Sequence, residues 1–153
     1  MWTGRAPGKV ILLGEHAVVY GYRAIAAAVD LYTTVKLQAR SGPTALEYSS
    51  IQDERLAGAL ATILPSEGFG VSIKSTLPIG CGMGSSAALA VATVRAVAAS
   101  EGRVATFAEC YEKAFALERV FHGNPSGLDH AVSAMGAPVI YRRGHPAEAL
   151  PFA

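Results

Sequence analysis

The spacing of hydrophobic and polar residues predicts a chain that mixes strands and helices. Residues 69–75 alternate apolar and polar side chains, the pattern of a half-buried strand, and lead directly into a glycine-rich segment. A second predicted strand contains the β-branched residues Thr33, Thr34 and Val35, which favour extended backbone. In chain order, the predicted strands are Lys9–Leu13, Tyr32–Gln38, Phe69–Ser75 and Pro138–Arg142.

Apolar residues that recur every three to four positions predict helices elsewhere in the chain. The first helix ends before Pro65, because proline cannot continue a helix. The last begins at Asn124 and Pro125, since asparagine caps helices and proline suits the first helical position. Residues 41–52 are polar and rich in turn formers, so a connecting segment is predicted there. The other predicted helices are Asp53–Leu64, Ser86–Ala99 and Thr106–Phe121.

Composition favours one domain and argues against a nucleic-acid or membrane partner. With 153 residues, 51% of them hydrophobic, the chain can bury a core of its own. The formal net charge of +1 includes no run of lysine or arginine, so neither nucleic acid nor an anionic membrane is expected to bind. The apolar stretch Ala87–Val94 is far shorter than the roughly 20 residues that span a bilayer. Cys81 and Cys110 are too few for a disulfide framework, which favours a cytoplasmic location.

The glycine-rich segment Pro78–Ala88 is the strongest chemical signal in the sequence. Its alternating glycines allow backbone N–H groups to turn inward around an anion, and the helix that follows adds its positive N-terminal end. A plain turn followed by a well-packed helix would show a similar glycine pattern. Ser85 and Ser86 lie at the start of the helix, where hydroxyls either cap the backbone or bind the metal that accompanies a nucleotide.

Glu118 lies in the middle of the apolar face of the helix predicted at Thr106–Phe121. That face also carries Cys110, Tyr111 and Ala114. A buried carboxylate must be paired, protonated or bound to a metal, because an isolated buried charge is too costly. Glu118 therefore either forms a structural ion pair with an arginine or binds magnesium. The nearby anion-binding segment Pro78–Ala88, called the phosphate cradle below, favours magnesium.

Two further charged residues occur among apolar neighbours. Asp129 follows Leu128 at the edge of an apolar helical stripe, and Lys9 shares a strand face with Ile11 and Leu13. Taken singly, such an aspartate is usually a helix-dipole partner, and such a lysine usually reaches out to water. Together with the phosphate cradle and Glu118, however, they make up the set of groups that phosphoryl transfer requires.

Three segments together resemble the GHMP kinases. Residues 6–21, 78–88 and 118–129 are similar to that family's first motif, its nucleotide loop and its acidic segment. Galactokinases share the Gly-Glu-His turn but continue differently. The combination of His-Ala-Val-Val-Tyr-Gly with His-Gly-Asn-Pro-Ser-Gly favours the branch that phosphorylates mevalonate. The resemblance covers nearly all of the chain and implies transfer of the γ-phosphate of ATP to the primary hydroxyl of mevalonate.

The resemblance also implies a role for each candidate residue. Ser86 and Glu118 would hold Mg²⁺ on the phosphates of ATP, with Ser85 as a further candidate. Asp129 would take the proton from the attacking hydroxyl, while Lys9 keeps that carboxylate ionised and neutralises charge on the γ-phosphate. The glycines that would present backbone donors to the phosphates are Gly80, Gly82 and Gly84. The residues that would line the mevalonate pocket are Glu15 and His16.

The fold implied by the resemblance is half of a GHMP kinase. Those kinases have two domains of similar size, and residues 1–153 are expected to form the N-terminal one. This is an α+β domain of the ribosomal-protein domain-2-like type, with a mixed sheet packed against helices and a left-handed crossover. No second glycine-rich segment follows Tyr141, so the C-terminal domain is expected to be absent. Either a complementing C-terminal domain or self-association is therefore expected.

Two other functions fit the same sequence. A different GHMP kinase would phosphorylate a sugar or a phosphorylated intermediate such as phosphomevalonate, and a panel of acceptors would reveal it. A non-catalytic binding or partner module is the alternative from another class, because the same fold occurs in ribosomal and translation proteins. The lack of a basic patch argues against RNA as the partner of such a module.

Overall fold

The longest strand, β2, organises the sheet. The computed structural model describes residues 1–78, 80–122 and 125–151. Its strands are β1 (Trp2–Leu13), β2 (Ala24–Pro43), β3 (Ala45–Ser49), β4 (Glu67–Ser75), β5 (Val139–Tyr141) and β6 (Glu148–Ala149). Its helices are α1 (Leu56–Leu60), α2 (Ser85–Ser100), α3 (Phe107–His122) and α4 (Leu128–Met135), with one 3-10 turn at Val18–Tyr20.

The sheet is mixed. β1 pairs antiparallel along one edge of β2, and β4 and β5 pair antiparallel with different parts of the opposite edge. β3 runs parallel to β4, and β6 pairs with β5. The predicted α+β class, with a mixed sheet packed against helices, is therefore confirmed.

Helix α2 lies at the centre of the packing. It contacts β1 and β2 on the sheet and also α3 and α4. Most of its buried side chains are alanine and valine, which let the helix approach the sheet closely. At Gly4 of β1 the approach is so close that an added Cβ would collide with the backbone of α2 at Ala92. In the described part of the chain, no helix has the length and apolarity that crossing a bilayer requires.

Three of the strands are longer than the sequence predicted, β4 by two residues and β1 and β2 by more. β1 begins at Trp2 rather than Lys9, and β2 begins at Ala24 rather than Tyr32. Their extra residues include many with low β propensity, but cross-strand pairing and burial under α2 keep this backbone extended. Residues 41–52 were predicted as a connection, whereas they contain the end of β2 and all of β3. Parallel pairing with β4, which no local pattern reveals, accounts for β3.

The helix predictions were correct for α2 and α3 to within one residue at each end. The helix predicted at Asp53–Leu64 is reduced to the five residues of α1. It starts late because Asp53 turns the chain by accepting hydrogen bonds from Arg55, and it ends early because residues 61–63 form turns. α4 begins at Leu128, since Gly127 caps it with a φ of +89°, which is not a helical angle. The prediction that Pro125 starts this helix was wrong, and Asn124 lies outside the described residues.

Candidate functional site

A glycine-rich loop joins the end of β4 to the start of α2. Gly80, Gly82 and Gly84 have φ angles of 76°, 68° and 68°, a left-handed backbone that disfavours any residue with a Cβ. Gly84 is the N-cap of α2 and lies close to the side chains of Lys9 and Asp129. The loop and the positive end of α2 therefore face a lysine and a carboxylate, which is a setting for an anion with a nearby proton acceptor.

Two serines form the first turn of α2. The N-cap residue of α2 is Gly84, so neither Ser85 nor Ser86 caps the helix. The Ser86 hydroxyl lies 3.3 Å from Nε2 of His122 at the end of α3. The Ser86 hydroxyl is also near enough to the Glu118 carboxyl group to lower the pKa of that group. The hydroxyl thus faces the acidic part of the site rather than the helix backbone.

Lys9 joins the loop to the carboxylate on α4. Its side chain is buried, and Nζ donates a hydrogen bond of 2.7 Å to the carbonyl of Gly82. The same nitrogen lies 3.2 Å from Oδ1 of Asp129. The backbone N–H of Lys9 bonds to the Met83 carbonyl at 2.9 Å, which fixes the strand against the loop. The interpretation of Lys9 as a lysine that merely reaches out to water is therefore wrong.

Asp129 lies in the first turn of α4 and remains partly accessible, with 29% of its side chain exposed. Burial raises the pKa of this carboxyl group, while the charge and hydrogen bond of Lys9 lower it. The pKa of Asp129 is raised overall, so burial outweighs Lys9, whose charge opposes protonation of this carboxyl group. An ionised carboxylate that is open to solvent on one side can accept a proton from a bound hydroxyl.

Glu118 is buried on α3, as its place on the apolar face predicted. Only 3% of the residue is exposed, and burial raises the pKa of its carboxyl group. Oε1 has no hydrogen-bond partner, and Oε2 lies 3.9 Å from Nε2 of His130. Among the described residues, no arginine pairs with Glu118. The structural ion pair with an arginine is therefore not found, and a carboxylate oxygen is left without a partner.

Ser86 and Glu118 together fit a magnesium ion. An unpartnered buried carboxylate oxygen beside a hydroxyl is a suitable start for a site that binds hard cations. The described residues include no group of three or more His, Cys, Asp or Glu side chains that could hold a metal by themselves. Mg²⁺ commonly takes only one or two protein ligands and completes its shell with phosphates and water. The available ligands therefore suit a cation that arrives with a nucleotide.

The sequence analysis did not single out His130. It is fully buried, packs against the rings of Tyr111 and Phe115, and lies beside Glu118. Burial lowers the pKa of His130 to about 4, so the imidazole is neutral at physiological pH. A cavity of about 180 Å³ lies next to it, lined in part by Glu118, His122 and Asp129. Helical spacing places His130 roughly 200° from Leu128, away from the apolar stripe, so the sequence offers no signal that it is buried beside Glu118.

Glu15 and His16 lie outside this cluster. They occupy the exposed turn between β1 and the 3-10 turn, after Gly14 with its φ of 87°. Glu15 is nevertheless near enough to raise the pKa of Asp129. The structure therefore brings together the loop glycines, Lys9, Ser86, Glu118 and Asp129, and leaves Glu15 and His16 at one side. Their role in binding an acceptor stays a prediction.

Replacing Glu118 with Gln should stabilise the metal-free chain at neutral pH. The pKa of Glu118 is raised above its ordinary value of 4.5 in the folded chain. The free energy of unfolding therefore falls as pH rises from about 4.5 toward the folded-state pKa, because the unfolded chain ionises first. We expect Glu118→Gln to raise the free energy of unfolding at pH 7 by on the order of 1 kcal/mol, with little effect near pH 4. Chemical denaturation measures this change, with Glu112→Gln on the exposed face of α3 as control. A loss of stability at pH 7 would indicate that the carboxylate has a structural partner.

Comparison with known proteins relates this chain to one family. The model for the GHMP kinases N terminal domain matches residues 50–137. The mevalonate kinase of Thermococcus sibiricus is 37% identical over 169 residues, covering 91% of this chain and 51% of the relative. This chain spans about half the length of the curated relatives it matches.

Solved structures agree with the sequence comparison. The mevalonate kinase of Methanococcus jannaschii superimposes with a TM-score of 0.85 at 25% identity, over 98% of this chain and 56% of that one. The L. major mevalonate kinase in complex with R-mevalonate gives a TM-score of 0.78 at 27% identity, over 100% of this chain and 52% of that one. Because the family model matches more than half of its residues, the chain belongs to the GHMP kinase family.

Proposed function

We propose that this chain is the N-terminal half of a mevalonate kinase, which transfers the γ-phosphate of ATP to the primary hydroxyl of mevalonate. The observation that carries the proposal is the position of Lys9, between the Gly82 carbonyl of the loop and the Asp129 carboxylate. This contact supports the proposal, because it would bring a phosphate-binding loop, a cation and a proton acceptor within reach of one another. The similarity to curated mevalonate kinases supports mevalonate as the acceptor.

In the proposed reaction, Asp129 accepts the proton of the mevalonate hydroxyl. The hydroxyl oxygen forms a bond to the γ-phosphorus of ATP as the bond between that phosphorus and the bridging oxygen of ADP breaks. Lys9 stabilises negative charge on the transferred group and favours the ionised form of Asp129 before the proton moves. The backbone N–H groups of the loop and of the first turn of α2 bind the phosphates.

Ser86 and Glu118 would hold the magnesium ion that accompanies ATP. When bound, the ion neutralises charge on the β- and γ-phosphates. Ser85, in the same turn of α2, is a further candidate ligand. Glu118 would then differ from Asp129 in its task, since Asp129 has a lysine partner and Glu118 has none among the described residues.

Glu15 and His16 would bind the acceptor, because their turn approaches the site closely enough for Glu15 to influence Asp129. A related solved structure, that of the L. major enzyme, holds R-mevalonate. A panel of mevalonate, phosphomevalonate and galactose distinguishes this acceptor from those of other GHMP kinases. Phosphorylation of either alternative without that of mevalonate would contradict the proposed substrate.

The partner of this chain would be a C-terminal GHMP kinase domain or a second copy. Apolar side chains are exposed at the end of β1, in the 3-10 turn that follows and just after that turn, and contiguous exposed apolar patches are uncommon on monomeric proteins. The most exposed of these are Leu12 at 56%, Leu13 at 66%, Tyr20 at 80% and Tyr22 at 68%. A surface of this kind is typical of protein contacts.

Asp129→Asn should abolish phosphoryl transfer and leave the fold intact. The amide keeps the shape of the side chain but cannot accept the proton, so we expect turnover to fall by about two to four orders of magnitude. Turnover is measured in a two-domain protein that contains this chain, with Asp30→Asn, an exposed carboxylate, as control. Lys9→Met is expected to lose turnover as well, because charge on the transferred group would lack its cation. Near-normal turnover of Asp129→Asn would remove this residue from the role of base.

The 153-residue chain alone should bind Mg·ATP weakly, show negligible turnover and self-associate. Positioning of reacting groups lowers barriers by about 7–11 kcal/mol in well-oriented systems, and a half-site open to water loses most of that. Light scattering and a mevalonate phosphorylation assay test this expectation. A monomer that turns over mevalonate at roughly 1–100 per second, an ordinary kinase rate, would contradict the assignment as half of an enzyme.

A further inference from the structure

Two tyrosine hydroxyls meet behind the turn that begins α4. Tyr111 of α3 and Tyr141 of β5 place their hydroxyl oxygens 3.0 Å apart, and the Tyr141 hydroxyl donates to the carbonyl of Ser126 at 2.7 Å. A phenol has one proton to donate, so Tyr111 must be the donor between the two rings. Burial, together with the neighbouring Tyr111, raises the pKa of Tyr141 above its usual range and keeps that proton in place.

The tyrosine pair leaves no room for a side chain at position 127. Gly127 has a φ of +89°, and an added Cβ would collide with both phenol oxygens. The next backbone N–H, that of Leu128, lies 3.3 Å from the Ser126 hydroxyl, which tightens the same turn. The backbone at residues 126–128 is therefore held from one side by the two rings.

Asp129 comes directly after this turn. α4 has only eight residues, and its middle is attached to β1 by a hydrogen bond of 2.7 Å from the Ser133 hydroxyl to the Pro7 carbonyl. The cavity of about 180 Å³ borders Asp129 and the turn itself, so side-chain packing does not fix the start of the helix on that side. Elsewhere α4 is held by the buried cluster that contains Leu128 and Val132, by Ser133 and by a hydrogen bond of 2.8 Å from Arg95 to the Ala134 carbonyl near its end. The tyrosine pair is the hydrogen-bonded contact that lies at its start, next to Asp129.

We propose that Tyr111 and Tyr141 are positioning residues that set the place of the Asp129 carboxylate relative to Lys9. They contact neither group and act through the Ser126–Gly127 backbone. Without the hydroxyls, the start of α4 is free to move into the cavity, and the distance of 3.2 Å between Lys9 and Asp129 lengthens. The inference rests on the proposed function for the importance of Asp129 as a base, but the contact itself can be tested without turnover.

The alternative is that the two rings only fill the core. Tyr141 belongs to a buried cluster with Leu128, Val132 and Val139, and Tyr111 packs against that cluster. Tyr→Phe substitutions separate the two interpretations, because they keep the ring and remove only the hydroxyl. A purely structural role would change the melting temperature without changing the environment of Asp129.

The experiment is a carboxyl ¹³C NMR titration of Asp129 in the wild-type chain, Tyr141→Phe and Tyr111→Phe, with the exposed Tyr48→Phe as control. The charged groups near this carboxyl are Lys9 from β1, His122 and Glu118 from α3, and Glu15 from the turn after β1. Under the proposal, Lys9 is the group whose distance from Asp129 increases when a tyrosine hydroxyl is removed. We therefore expect Tyr141→Phe to raise the pKa of Asp129 by roughly half a pH unit or more, and Tyr48→Phe to leave it unchanged.

Tyr111→Phe removes the outer hydroxyl and keeps the Tyr141–Ser126 hydrogen bond, so it should give a smaller shift in the same direction. It also keeps the test decisive if Tyr141→Phe does not fold. In a two-domain protein with measurable turnover, the proposal adds a lower kcat with unchanged KM. A lower melting temperature with an unchanged or lowered pKa of Asp129 in both variants would overturn the proposal and leave the proposed function standing.

Discussion

A single buried ammonium group, that of Lys9, holds the site together. Its hydrogen bond to the Gly82 carbonyl fixes the glycine loop, and its contact with Asp129 brings the start of α4 to the same point. A lysine that is only 5% exposed needs such partners, because an unpaired charge inside a protein is too costly. The pairing of β1 with β2 shifts register between Pro7 and Lys9, at the point where the side chain enters the site. The irregularity in β1 therefore lies at the residue whose side chain enters the site.

The two acidic residues of the site are distinguished by their surroundings. Burial raises the pKa of both, but Asp129 has Lys9 beside it, whereas Glu118 has a neutral His130 and an oxygen without a partner. Asp129 thus has a cationic partner supplied by the protein, whereas no lysine or arginine pairs with Glu118 among the described residues. Titratable groups whose environments differ in this way suit different tasks, and we propose that Asp129 is the proton acceptor and Glu118 the metal ligand.

Local signals predicted the segment from β4 through the glycine loop to α2 and α3, because alternation, left-handed glycines and helical periodicity all act over a few residues. The same periodicity identified Glu118 as a buried charge. The early part of β2 and all of β3 were missed, since distant pairing rather than local propensity keeps them extended. Contacts between elements were equally hidden. The meeting of Tyr111 with Tyr141, and of His130 with Glu118, depends on tertiary packing that no local pattern encodes.

The most direct test of this account is a double-mutant cycle on the unfolding free energy, with Lys9→Met, Asp129→Asn and the double variant. Lys9→Met alone should destabilise the chain, because it leaves the carboxylate of Asp129 without its cation. The double variant should recover much of that loss, so the account predicts a coupling free energy on the order of 1–3 kcal/mol at pH 7. Chemical denaturation supplies all of the required values. Strictly additive effects would contradict the claim that Lys9 and Asp129 form the contact on which the site depends.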